Sequence, residues 1–360
     1  MQPAAARSDP RRDPLAGRLP VTVITGFLGS GKTTLLKKLL AHPGMNRVAV
    51  IINELGEIGI DHDLVAMSSE NMTLLANGCL CCAVRTDLQE TLRELFVKRR
   101  AGEIVDFDRV VVETTGLADP APVVQTLATD TMLSAQYRLD GIVTLVDAVN
   151  APGQLDRQPE AVKQVALADR LLVTKTDLTT SDDVRALKER LAQINPQAET
   201  RDVLMGDVDP AFLLDLGLRN ARGEAAAVTR FLGPLVGEGT PPDAPRYLGE
   251  RLGPRHDSAI RTFVLRFDTP FAWSAFSGAM DMLASLRGPD LLRVKGLVNV
   301  EGAPVVVQGV QHIFHPAVTL EQWPSEDHST RLVFITRNIE KNAVEAAFVA
   351  ATALVSDRHA

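Results

Sequence analysis

Gly26-Phe27-Leu28-Gly29-Ser30-Gly31-Lys32-Thr33 follows the apolar, β-rich run 21–25 and opens a helical stretch, 33–41. The segment fits G-x-x-x-x-G-K-[ST], and a strand before with a helix after is the setting in which that pattern cradles phosphate. Glycines let backbone N–H groups turn inward around phosphate oxygens, where a side chain would stand in the way. The helix that follows offers its positive N-terminal end to the same anion. Gly26, Gly29, Ser30 and Gly31 are therefore candidate nucleotide contacts. Lys32 is expected to reach the β- and γ-phosphates, and the Thr33 hydroxyl to ligate Mg²⁺.

Around this loop the chain alternates short apolar runs with helical patterns, the signature of an α/β domain with a mostly parallel sheet. Strands are expected at 21–25, 47–53, 72–76, 109–113, 141–147 and 170–174, and helices at 33–41, 85–100 and 182–194. In the last helix Val184, Leu187, Leu191 and Ile194 recur at helical spacing. From about 201 to 258 Gly, Pro and Ala with mixed charge read as a connection, with short helices near 211–218 and 224–232. Strands at 260–267, 291–300, 305–314 and 332–336, with helices at 271–286 and 340–354, then suit a smaller α+β C-terminal domain. The expected division is a tail over 1–19, a nucleotide domain over 20–200, the connection over 201–258 and the second domain over 259–360.

Ligands bind at the carboxyl ends of parallel strands, so the residues that close each strand carry the chemistry. Glu113-Thr114-Thr115-Gly116 ends one: Glu113 is placed to hold Mg²⁺ through water, and Gly116 to approach the γ-phosphate by its N–H. Thr174-Lys175-Thr176-Asp177 ends another. Asp177 can accept from guanine N1–H and N2–H₂, a donor pair adenine lacks, and the Lys175 stem can lie along the base. Such motifs usually begin with Asn, so Thr174 weakens or replaces one base contact. Asn53-Glu54-Leu55-Gly56-Glu57 ends a third strand and is expected to face the nucleotide.

All three cysteines of the chain lie within Cys79-Leu80-Cys81-Cys82. Thiolates packed this closely hold a soft or borderline metal or exchange disulfides. The segment is expected to enter the helix at 85–100, whose N-terminus would favour the thiolate form. Zn²⁺ takes four ligands, which leaves a fourth position for water, Glu54, Glu57 or a partner protein. His312 and His315 form an H-x-x-H pair, but residues three apart on a strand point to opposite faces, and a strand-end or loop position is the better reading.

These motifs together resemble those of the CobW-type metallochaperone GTPases: Gly26–Thr34, Asn53-Glu54-x-Gly-Glu57, Gly78-Cys-x-Cys-Cys82, Glu113–Pro120 and Thr174–Asp177. Leu291–Gly296 and Val310–Pro316 resemble the C-terminal domain of the same group. The resemblance implies a P-loop NTPase fold and a slow GTPase that carries Zn²⁺ or Co²⁺ on Cys79, Cys81 and Cys82 to a client metalloprotein. It also adds Thr34 to the nucleotide contacts and allows a nucleotide-dependent homodimer. Lys32, Thr33 and Glu113 are the catalytic set it implies. Cobalt handling for cobalamin synthesis and nitrile hydratase activation are rivals within the fold; a thiol-redox sensor regulated by nucleotide is a rival of another class.

A net charge of −7 over 360 residues argues against a broad nucleic-acid footprint. No apolar run nears the roughly 18 residues that span a bilayer. The arginine-containing N-terminus has no apolar h-region and reads as a tail rather than a signal peptide, and reduced cysteines suit the cytoplasm.

Overall fold

The computed structural model describes residues 17–45, 47–53, 66–67, 72–74, 80–83, 87–217, 225–233 and 260–356. In chain order the first part contains β1 (Leu19–Gly26), α1 (Lys32–Ala41), β2 (Val48–Asn53), β3 (Ala66–Met67), β4 (Met72–Leu74) and β5 (Leu80–Ala83). There follow α2 (Leu88–Ala101), β6 (Arg109–Thr114), α3 (Ala121–Thr129), α4 (Thr131–Gln136), β7 (Tyr137–Asp147) and α5 (Ala151–Arg157). The part closes with α6 (Pro159–Leu167), β8 (Arg170–Thr174), α7 (Ser181–Ile194) and β9 (Glu199–Val203).

These strands form one sheet in the order β3-β4-β5-β2-β6-β1-β7-β8-β9. Every pairing from β5 to β9 is parallel; β3–β4 and β4–β5 are antiparallel. Parallel strands are covered by helices on both faces, which is why β1, β6 and β8 read as unbroken apolar runs. Val21 and Val23 pack into one layer with Leu92, Leu95 and Leu127, while Ile24 packs into the other with Leu35, Leu39 and Leu172. On α7, Val184, Leu187 and Leu191 are buried as their spacing predicts, and the Thr180 hydroxyl caps the helix by accepting from Asp183 N.

Two short helices, α8 (Pro210–Leu213) and α9 (Ala225–Leu232), precede a second sheet. Its elements are β10 (Ile260–Phe267), α10 (Trp273–Arg287), β11 (Arg293–Val300), β12 (Ala303–Val310), β13 (Ile313–Phe314), β14 (Val318–Thr319), β15 (Thr330–Arg337) and α11 (Lys341–Ser356). The strands run antiparallel in the order β10-β15-β11-β12-β13, with β14 on β12. One core on this sheet gathers Phe271, Phe276, Met280, Phe334 and Phe348 from the sheet, α10, α11 and the turn before α10. Another gathers Val228, Phe231 and Leu232 of α9 against Leu297, Val306 and Val333.

The structure corrects four local expectations. β9 continues the first sheet to Val203, into what reads from sequence as connection; its polar Glu-Thr-Arg-Asp stretch hid it, because an edge strand faces water. The helix expected from 211 to 218 is the single turn Pro210–Leu213. The run 305–314 is two strands, folded back at Gln311, which takes φ 55°. The expectation of a helix from 85 gives way to a start at Leu88, fixed by the Asp87 carboxylate accepting from Gln89 N. The helices α3 to α6 were not singled out from sequence.

Candidate functional site

The phosphate loop leaves the end of β1 with Gly26, Gly29 and Gly31 at φ +145°, +75° and +95°. A Cβ on Gly26 would lie 2.5 Å from the Leu145 carbonyl oxygen and 2.7 Å from Ser30 Oγ, so β7 sets the floor of the loop and only glycine fits above it. The Lys32 ammonium donates to Gly26 O at 2.8 Å and Phe27 O at 3.4 Å, arching across the turn. Ser30 Oγ is buried without a hydrogen-bond partner among the described residues. Thr33 and Thr34 are exposed in the first turn of α1, whose N-cap is Gly31. A glycine-lined turn, a lysine arching over it and a helix N-terminus fit a nucleotide phosphate with its Mg²⁺.

Thr174, at the end of β8, is buried, and its hydroxyl donates to Ser30 O at 2.9 Å. The threonine thereby straps β8 to the phosphate loop. Its hydroxyl is committed to the loop, which accounts physically for a threonine where such motifs usually carry Asn. Lys175 follows in the left-handed region, φ 58°, and its ammonium donates to Asp147 Oδ2 at 2.6 Å. Asp147 also accepts from Val149 N, Asn150 N and Asn150 Nδ2. Burial opposes its charge, but the hydrogen bonds from Lys175 and Asn150 prevail and hold the carboxyl below the ordinary range. Asp147 anchors the lysine beside exposed Asp177 and was missed by sequence reasoning. An Asp closing the apolar strand 141–147 was the available signal.

Glu113 is buried at the end of β6, level with Ile24 of β1 and Ile52 of β2. Beside it the Thr114 hydroxyl donates to Thr25 Oγ1 at 2.8 Å, tying β6 to β1 just before the loop. Gly116 lies so close to the phosphate loop that a Cβ there would be 2.7 Å from Leu28 N and 2.8 Å from Leu28 Cα. The two segments that sequence assigned to phosphate and Mg²⁺ are therefore in backbone contact.

Cys81 and Cys82 lie on β5, an extended strand, and α2 starts only at Leu88, three residues beyond the start expected at 85, so the helix N-terminus lies further from the cysteines than the sequence suggests. Cys81 stands opposite Val50 of β2 and Thr73 of β4, and Cys82 opposite Ile51 and Met72. The strand ends at Ala83, in line with Ile52, Glu113 and Ile24 across β2, β6 and β1. Three inter-strand steps of about 4.8 Å set β5 roughly 14 Å from β1. Cys79, Glu54 and Glu57 lie outside the described residues. Among those described, no three His, Cys, Asp or Glu residues form a group that could hold a metal ion.

His312 is exposed in the turn after β12, and His315 follows β13, so neither stands on a strand. His315 Nε2 is buried without a partner among the described residues, beside a cavity of about 610 Å³ that Trp273, Phe276 and Met280 also line. Burial, aided by Arg293, pushes the imidazole down to about 4.

Residues 20–202 match the family described as CobW/HypB/UreG, nucleotide-binding domain, and residues 260–352 the family described as Cobalamin synthesis protein cobW C-terminal domain. Zinc chaperone YjiA of Escherichia coli is 35% identical over 333 residues, 92% of this chain and 98% of that protein. Zinc chaperone CobW of Pseudomonas aeruginosa is 30% identical over 362 residues, 91% of this chain and 90% of that protein. The crystal structure of Zn(II)-bound YjiA GTPase from E. coli matches with a TM-score of 0.72 at 33% identity, over 93% of this chain and 99% of that one. A Zn(II)-bound triple mutant of that GTPase, in which one glutamate and two cysteines are alanine, also matches at 0.72.

Proposed function

This chain belongs to the CobW/HypB/UreG family of nucleotide-binding proteins, and we propose on that footing that it is a GTP-hydrolysing metal chaperone. It takes up Zn²⁺ through Cys79, Cys81 and Cys82 and passes it to a client metalloprotein in the cytoplasm. On affinity alone a thiolate site favours Zn²⁺ over Co²⁺. Gly26, Gly29, Ser30, Gly31 and Thr34 line the phosphates, Lys32 neutralises them, and Gly116 meets the γ-phosphate. Thr33 and Glu113 would hold Mg²⁺, which when bound neutralises charge on the β- and γ-oxygens. Lys175 and Asp177 read guanine, with Thr174 bracing the loop. The nucleotide domain is taken as 20–200 and the second domain as 259–360.

The observation that carries this reading is the pairing of β5 with β2. Cys81 and Cys82 belong to a strand hydrogen-bonded to the one that ends at Asn53, and β2 in turn pairs with β6, which carries Glu113 next to its last residue. A rearrangement at the γ-phosphate therefore reaches the cysteine strand through backbone pairing across two neighbouring strands. Glu54 and Glu57 are candidates for the remaining zinc ligand.

The test is zinc stoichiometry and affinity of the reduced protein beside Cys81→Ser, with GTP and ATP hydrolysis measured on both. The expected result is one tight zinc lost in the variant and hydrolysis selective for GTP. Affinity must be measured as well as content, since a relative with two cysteines replaced still binds zinc. Equal zinc affinity in the two proteins removes the cysteine site. A reversible disulfide within 79–82 with no zinc uptake would favour thiol-redox sensing instead.

A further inference from the structure

Gln164, in α6, is 1% exposed and carries an amide that the reading above does not use. Its Nε2 donates to Gly116 O at 3.2 Å and to Ala118 O at 3.0 Å. Its own backbone carbonyl accepts from Thr144 Oγ1 at 2.9 Å, which ties this point of α6 to β7. The preceding residue, Lys163, pairs its ammonium with Asp119 Oδ2, while Asp119 Oδ1 accepts from Ala121 N. One helix thus holds the segment between β6 and α3 at Gly116, Ala118 and Asp119.

The two carbonyls that Gln164 grips belong to the Gly116–Leu117 and Ala118–Asp119 peptide planes, which bracket exposed Leu117. Fixing both planes fixes the path of Gly116, the residue whose backbone presses on Leu28 of the phosphate loop. An amide with two N–H groups is the side chain that can satisfy two carbonyls from one buried position. Burying it without those acceptors would be costly, so the grip and the burial depend on each other.

We propose that Gln164 is a positioning residue for GTP hydrolysis, holding the 116–118 backbone against the phosphate loop in the arrangement that meets the γ-phosphate. The proposal rests on the assignment of Gly116 to that phosphate. GDP has no γ-phosphate, so loss of the grip is felt in turnover and not in GDP binding.

The experiment compares full-length wild type, Gln164→Leu and Gly116→Ala in GTP turnover, GDP affinity and thermal unfolding. Gln164→Leu keeps the volume and removes both donors; kcat is expected to fall about tenfold, about 1.4 kcal/mol, with GDP affinity within about twofold of wild type. A folded Gln164→Leu protein with wild-type kcat overturns the proposal. So does a parallel fall of kcat, GDP affinity and Tm, which marks a structural role alone. Gly116→Ala turning over at the wild-type rate overturns the γ-phosphate assignment itself, whereas a slow Gly116→Ala beside a fast Gln164→Leu overturns only the role of Gln164. Gln164→Asn, whose amide falls one methylene short, is held to the same criteria if Gln164→Leu does not fold.

Discussion

Thr174 donates its hydroxyl to Ser30 O, a carbonyl in the middle of the phosphate loop, so the base-reading strand and the phosphate loop share one buried hydrogen bond. Thr174→Val keeps the shape and leaves that carbonyl without its donor. The expected cost is about 1–2 kcal/mol of stability, with GTP and GDP affinities falling together because the strap supports both, as urea unfolding and calorimetric titration would read. Asp177 makes a separable prediction. Inosine lacks the 2-amino donor of guanine, so Asp177→Ala should bring GTP affinity down towards that for ITP, measured by competition. The phosphate loop and Asp177 were legible because a motif at fixed spacing states its own geometry. Asp147 was not: its role exists only through Lys175, which is 28 residues away in sequence.

The cysteine motif shows where local pattern stops being informative. Leu80–Ala83 is a strand of four residues, too short for alternation to announce itself, and it owes its existence to β2 and β4 on either side. The helix expected from 85 begins further along, at Leu88, where the Asp87 cap fixes its start. The longer elements were legible: α1, α7 and α11 because burial there follows helical spacing over two or more turns, and β8 and β10 because they are apolar-rich runs of full strand length. The strand placement carries a prediction. If Cys79, Cys81 and Cys82 take zinc, the metal crosslinks β5 to Cys79, the residue before it, and amide exchange at 80–83 should slow on zinc loading. Cys81→Ser should lose that protection, and equal exchange in the zinc-loaded and zinc-free wild-type protein would count against ligation from this strand.

The two sheets are pinned together by a buried ionic cluster that no motif announced. Asp169, between α6 and β8, accepts from Arg293 Nη2 and Lys295 Nζ of β11, each at 2.5 Å, and from Ile142 N at 2.9 Å. Lys295 also donates to Phe231 O of α9. Burial alone would raise the Asp169 carboxyl, but the two cations prevail and hold it well below the ordinary range. Its contribution to stability is therefore complete above the usual carboxylate pKa and lost as pH falls through the lower folded value. Asp169→Asn should cost about 3–5 kcal/mol by leaving buried cations uncompensated, and should flatten the acid limb of Tm against pH. His315 adds a second slope: the unfolded chain takes up its proton from about 6.5 while the folded one waits until about 4, so stability falls as pH drops across that window, and His315→Phe should remove the slope. Partners more than a hundred residues apart leave no local trace, which is why this cluster was invisible in the sequence. Above these contacts stands the coupling between nucleotide and metal. The most direct test is the Zn²⁺ affinity of the reduced, full-length protein bound to GDP and to a non-hydrolysable GTP analogue. The account predicts affinities that differ by about tenfold or more between the two states, with zinc shifting nucleotide affinity by the same factor; equal zinc affinity in both would contradict it.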